Sequence, residues 1–200
     1  MQQNSELWVM NHELNRLKSE AYNASVVVAM FALSFLVVVH LITPLQAKVL
    51  PVEYASMLFL PHGARILAVV FYGPGRGFLY LILASIFVDL TIGRGLPTTS
   101  ETLAGPIIGA GCVPLAMYLL RFGFGDEVIS LQHVNSRTWR VLFLLIIISS
   151  LFNSILQTVV VHASDITVTD VYLGLKFVFG DILGALVMLV VAQVLLKRLS

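Results

Sequence analysis

Apolar residues run through this chain in long blocks separated by short polar breaks, and six blocks approach the ~20 residues that cross a hydrocarbon core. They cover residues 24–43, 52–72, 77–93, 102–120, 139–162 and 171–196. The pattern predicts an all-α polytopic integral membrane protein with about six transmembrane helices. Ahead of the first block, Leu7, Met10, Leu14 and Leu17 recur at helical spacing among Glu6, Glu13, Arg16, Lys18 and Glu20. Residues 1–23 therefore read as an amphipathic lead-in, on the membrane surface or in the cytoplasm, and 24–200 as one six-helix domain. Acidic residues this early do not fit a cleavable export signal.

The second block is interrupted at Pro61 and Gly63. Proline lacks the backbone donor and glycine permits close approach, so a broken but spanning helix is expected, its irregular backbone lining a cavity or covered by protein. Gly105 and Gly109, and likewise Gly180 and Gly184, stand four apart in their blocks. That spacing signals close helix packing. Thr98 and Glu101 read as a capping box at the start of the fourth helix.

Basic residues set the orientation. With the N-terminus in the cytoplasm, Arg16, Lys18, Arg76, Arg121, Arg137, Arg140, Lys197 and Arg198 fall inside, and only Lys48 and Arg94 outside. This follows the positive-inside rule and predicts both termini in the cytoplasm. Five crossings would move Arg121, Arg137, Arg140 and the basic C-terminal end outside, so the charge pattern favours six.

Of the 200 residues, 58% are hydrophobic and 12% charged. Soluble domains carry about 25% charged residues, so lipid is the solvent this chain is built for. The net charge of +1, with no basic patch beyond the membrane flanks, argues against a nucleic-acid partner. The lone Cys112 reads as packing.

Against this background, Arg65, Asp89, Lys176 and Asp181 stand out inside the blocks. A charge at the centre of a bilayer costs roughly 2.5–3.5 kcal/mol on insertion scales, so such groups face one another or a watery cavity. His62 shares the break with Arg65. Asn153 and Gln157, four apart, lie on one helical face. Their depths place most of the polarity between the midplane and the outer surface, and predict an outward-facing polar pocket around Arg65, Asp89 and Asp181. Blander readings stay open. Arg65 with Asp89 or Asp181 forms a buried ion pair that sets register, Lys176 snorkels to the interface, and Asn153 and Gln157 bind helices together.

No catalytic constellation, metal-ligand cluster or cofactor loop is legible. Two aspartates on separate helices invite comparison with intramembrane aspartyl proteases, but Asp181 follows Val178, Phe179 and Gly180 where those enzymes carry Gly-x-Gly-Asp. An enzyme is not expected.

The run Leu60-Pro61-His62-Gly63-Ala64-Arg65-Ile66-Leu67-Ala68, continuing to Phe71-Tyr72-Gly73, and the later Phe179-Gly180-Asp181-Ile182-Leu183-Gly184, carry a resemblance. They resemble the Pro-rich opening and the Gly-Asp-x-Leu-Gly helix of a bacterial integral-membrane sensor domain family found before histidine kinase and diguanylate cyclase modules. The resemblance covers roughly residue 52 to the C-terminus. It implies a sensory module of the bacterial inner membrane that receives an external or membrane-borne cue. Six helices stand where that family has about eight, its tryptophans are missing from both motifs, and no output domain is expected after the last helix. A signal is therefore expected to leave through a separate membrane or cytoplasmic protein partner. Two other readings compete. The size and topology are similar to the small-molecule-binding subunits of energy-coupling vitamin transporters, with Ser25 and Ala29 echoing their docking stripe. An accessory subunit of a larger complex would instead show a lipid-facing small-residue stripe, such as Gly105, Gly109 and Gly111.

Overall fold

The computed structural model describes residues 2–48, 57–92, 100–125, 136–161 and 168–199, which are almost wholly helical. The elements are α1 (Gln2–Val37), a π-helical turn (Val38–Ile42), α2 (Thr43–Ala47), α3 (Leu60–Tyr72), α4 (Pro74–Thr91), α5 (Ser100–Phe124), α6 (Ser136–Val161) and α7 (Val168–Leu199). Among the described residues, five stretches are long and apolar enough to cross a bilayer: His12–Ala47, Pro74–Thr91, Ala104–Phe124, Thr138–Val159 and Gly174–Arg198. The lead-in is no separate element, because α1 carries it without interruption into the first apolar block. Near the other end of that block, exposed His40 lies in the π-helical turn.

The second block differs most from its sequence pattern. Pro61, His62 and Gly63 do not break a helix midway; they form the first turn of α3, which starts at Leu60. Proline is tolerated there because the N–H it lacks has no partner within the helix anyway. The first residues expected in this block, 52–56, lie outside the described residues, as do Thr98 of the expected capping box, the Glu101 side chain, and the ends of the third and fifth blocks. With 13 residues, α3 is about 20 Å long, short of a ~30 Å hydrocarbon core.

This short helix is the axis of the bundle. It packs against α1, α4, α5, α6 and α7, and every residue from Leu60 to Val69 is buried. Its tightest neighbour is α7. The Phe59 N–H donates to the Gly180 carbonyl at 2.9 Å. A Cβ on Gly184 would run into the backbone of Phe59 and Leu60, and one on Gly63 would meet Met188 and the Ala185 backbone. The pairing of Phe59 with Gly180, and of Gly63 with Ala185 and Met188, shows that α3 and α7 run parallel.

At its other end, α3 turns directly into α4 through Gly73, whose φ of 80° lies in the region glycine adopts without a side-chain clash. Gly77 then rests against Val69, so α3 and α4 form an antiparallel hairpin. The turn is fastened to α1: Arg76 pairs with Glu20 at 3.1 Å, and the Tyr80 hydroxyl bonds the same carboxylate. Since α1 climbs from this layer toward Phe31, which stacks on Arg65, it runs antiparallel to α3. The start of α1 and the end of α7 therefore share one face of the bundle.

The α3–α7 joint predicts a sharp contrast between two glycines. Gly184→Ala is expected to destabilise the bundle by about 2–3 kcal/mol, the upper part of the range for overpacking a filled interior. Gly75→Ala, with nothing within 4 Å of the added carbon, should be neutral or slightly stabilising. Unfolding midpoints in a mild detergent would measure both; equal losses would count against the joint.

Candidate functional site

His62 and Arg65 project from α3 into the bundle, and polar groups from α6 and α7 meet His62. His62 is completely inaccessible, Asp181 is 1% exposed, Asn153 5% and Arg65 8%. Of the groups expected to line an open vestibule, these four are thus enclosed in this conformation.

Asp181 takes its partners from two helices. Asn153 donates from Nδ2 to Oδ2 at 2.7 Å. His62 Nδ1 stands 3.5 Å from the same oxygen, an ion-pair separation whose alignment does not make a hydrogen bond. On the far side of the ring, Nε2 is 3.0 Å from Ser149 Oγ and 3.4 Å from Ser150 Oγ. With Nδ1 carrying the proton toward Asp181, Nε2 accepts from a serine hydroxyl. The result is a polar line from α6 through α3 to α7. One turn along, the Ser154 hydroxyl donates to the Gly174 carbonyl at 2.7 Å, and Gln157 Nε2 donates to the Gly105 carbonyl at 3.2 Å. Asn153 and Gln157 therefore both join helices.

The sequence Ser149, His62, Asp181 has the connectivity of a hydrolytic triad. Its setting differs. Ser149 sits inside α6, where neighbouring N–H groups are engaged in the helix, and its hydroxyl also reaches the Ile146 carbonyl at 3.1 Å. The backbone around it supplies no oxyanion donors.

Arg65 is placed differently from the expected ion pair. It makes no ion-pair contact with Asp181, although the two lie within electrostatic reach of each other. Its guanidinium is held between two aromatic rings, with Cζ 5.6 Å from the centroid of Phe31 and 5.6 Å from that of Phe59. Both distances fall in the range of cation–π attraction. It also lies over Gly109, where a Cβ would stand only 2.9 Å from Cζ. Nε and Nη1 are buried and have no hydrogen-bond partner. A buried donor left unmatched costs about 1–3 kcal/mol, so this is an energetically incomplete site.

The remaining candidates lie apart. Asp89 occupies the last turn of α4, half-buried; the antiparallel register puts it roughly two helical turns beyond the level of Arg65. Lys176 sets its Nζ 4.5 Å from the Tyr172 ring centroid on α7, away from the cluster. Three glycines of α5 have neighbours within the bundle: Gly109 takes Arg65, Gly111 faces Phe78, and Gly105 faces Gln157. Of the stripe expected of an accessory subunit, Gly109 is buried, and Gly105 and Gly111 are half-buried. Cys112 is buried, with Sγ 3.2 Å from the Gly109 carbonyl. Among the described residues, no group of three His, Cys, Asp or Glu side chains is arranged to hold a metal ion.

Several participants were missed from the sequence. Ser149, Ser150 and Ser154 belong to the polar face of α6, and the 3- and 4-residue spacing of Ser150, Asn153, Ser154 and Gln157 carried that signal. Phe31 and Phe59 had none, since nothing separates them from other apolar residues. Comparison with protein families, with curated proteins and with solved structures finds no match to this chain.

Asn153→Ala is expected to destabilise the bundle by about 2 kcal/mol, as for loss of a hydrogen bond to a carboxylate. A double-mutant cycle with Asp181→Ala should give a coupling of about 1–2 kcal/mol. The cycle pairing Arg65→Met with Asp181→Ala should give a smaller value. Unfolding measurements that rank the two couplings the other way would restore the direct ion pair.

Proposed function

We propose that this chain is an integral-membrane, sensor-like module that binds a small molecule at the buried Arg65, His62, Asp181 and Asn153 cluster and signals through a partner protein. The observation that carries the reading is Arg65 itself: a buried cation on the central helix with Nε and Nη1 unmatched and, among the described residues, no ion pair. An arginine kept only to set helix register would be expected to face a carboxylate. This one faces aromatic rings and a glycine. The resemblance of the Pro61 and Asp181 segments to the bacterial sensor family points the same way. So does their direct contact, because the two segments meet at the α3–α7 joint.

The mechanism follows from that joint. Phe59 is both a wall of the Arg65 seat and the residue whose N–H is held by Gly180 on α7. A ligand that displaces Phe59 alters the fit of α3 against α7. It shifts the equilibrium between two packings only by its difference in affinity for them. The module is assigned to the bacterial inner membrane with both termini in the cytoplasm, and no catalytic step, metal or cofactor is assigned to it.

A second reading, the substrate-binding subunit of an energy-coupling transporter, is favoured by one observation. Ser25 and Ala29, the small residues echoing a docking stripe, are both exposed on α1.

Affinity capture in mild detergent separates the two readings. Recovery of an identified histidine kinase or diguanylate cyclase, lost in a Phe59→Ala variant that still folds, is the expected result. A transmembrane coupling subunit with paired ATPases, lost on Ser25→Leu and Ala29→Leu, would replace sensing with transport. In the same cells, a C-terminal green fluorescent protein fusion should fluoresce and an alkaline phosphatase fusion should stay inactive; the reverse would overturn the orientation.

A further inference from the structure

Arg65 stands at the meeting of α1, α3 and α5, and each contributes something a ligand would recognise. The central helix supplies the guanidinium, with Nε and Nη1 enclosed and unmatched. Phe31 from α1 and Phe59 from the non-helical approach to α3 supply two apolar walls. Gly109 supplies the missing side chain that lets the guanidinium lie flat against α5. A planar guanidinium offers paired donors matched to a carboxylate or phosphate, which a lysine ammonium does not.

Two features narrow the ligand. Among the described residues, Arg65 is the one buried arginine or lysine, and Asp181 lies within its electrostatic reach. A second negative charge on the ligand would therefore meet repulsion with no added counter-charge. The walls are aromatic: Phe31 of α1 and Phe59 at the approach to α3. An apolar body attached to the charged group would be accommodated beside them, whereas a strongly hydrated ion would lose its water without replacement.

We propose that the Arg65 seat binds the singly charged oxyanion of an amphiphile, a carboxylate or phosphodiester carried on an apolar body. This deepens the ligand-binding reading given above, but it is tested on the purified chain without any partner. Failure to find a kinase, cyclase or transporter partner would leave it standing, and its own failure would leave partner capture unaffected.

The test uses decanoate as probe, with decanol and decyltrimethylammonium as controls of equal chain length. The chain is held in nanodiscs of zwitterionic phosphatidylcholine, and its unfolding midpoint is followed against probe concentration. Decanoate is expected to raise the midpoint saturably, with the controls at least about tenfold weaker, the loss expected for one charge-assisted hydrogen bond. Arg65→Met should abolish the difference between decanoate and decanol. Gly109→Ala keeps the charge but displaces the guanidinium, and should weaken decanoate about tenfold or more. Should Arg65→Met fail to fold, Arg65→Lys and Gly109→Ala decide. Nanodiscs containing phosphatidylglycerol identify the source: a lipid that itself raises the midpoint and competes with decanoate assigns the site to a phosphodiester headgroup. A decanoate effect that this lipid leaves unchanged assigns it to a free amphiphile. Equal effects of decanoate and decanol, retention of the difference in the arginine variants, or no saturable effect of either anion would overturn the proposal.

Discussion

A helix that starts inside an apolar bundle leaves backbone donors in a place where water cannot satisfy them, and the rest of this structure is arranged around that constraint. α3 starts at Leu60, enclosed by five other helices. Pro61 removes one donor outright, the His62 N–H reaches back to the Phe59 carbonyl, and the Phe59 N–H crosses to Gly180. The crossing demands that two backbones touch. Gly184 and Gly63 are the residues that allow it, because a methyl group at either would occupy space already held by the neighbouring helix.

The same constraint places the polar residues. Bringing Gly180 to the start of α3 brings Asp181 beside His62 in its first turn, where the positive end of the helix dipole favours a carboxylate. Asn153 then closes on Asp181 from α6, and the serines of that helix take the other edge of the imidazole. Arg65, one turn farther along α3, is directed toward α1 and α5 instead. Opposite charges that share a protein interior are thus held apart by different partners. With Asp181 out of direct contact, Nε and Nη1 of the guanidinium are left unmatched.

Much of the architecture was legible in the sequence because lipid permits few solutions. Long apolar blocks in a chain with 12% charged residues can become only membrane helices, and their approximate limits follow from the bilayer's thickness. The polar residues that matter were legible for the same reason: His62, Arg65, Asn153 and Asp181 are costly where they stand. The Pro61-Gly63 signal was legible too, though it marks where a helix begins and not where one is broken. A proline reads identically in both cases, and only the neighbouring helix shows which donors were left to satisfy.

Which costly residue faces which was a different kind of question. Charge alone favours pairing Arg65 with Asp181 or Asp89, since attraction is the one interaction visible in a list of residues. The packed bundle gave Asp181 to His62 and Asn153, set Asp89 apart on α4, and enclosed Arg65 between Phe31 and Phe59 over Gly109. Local chemistry determined that these side chains must be shielded from lipid. Partner choice came from helix register and rotation, set by close backbone contacts such as those of Gly63 and Gly184 with residues more than a hundred positions away.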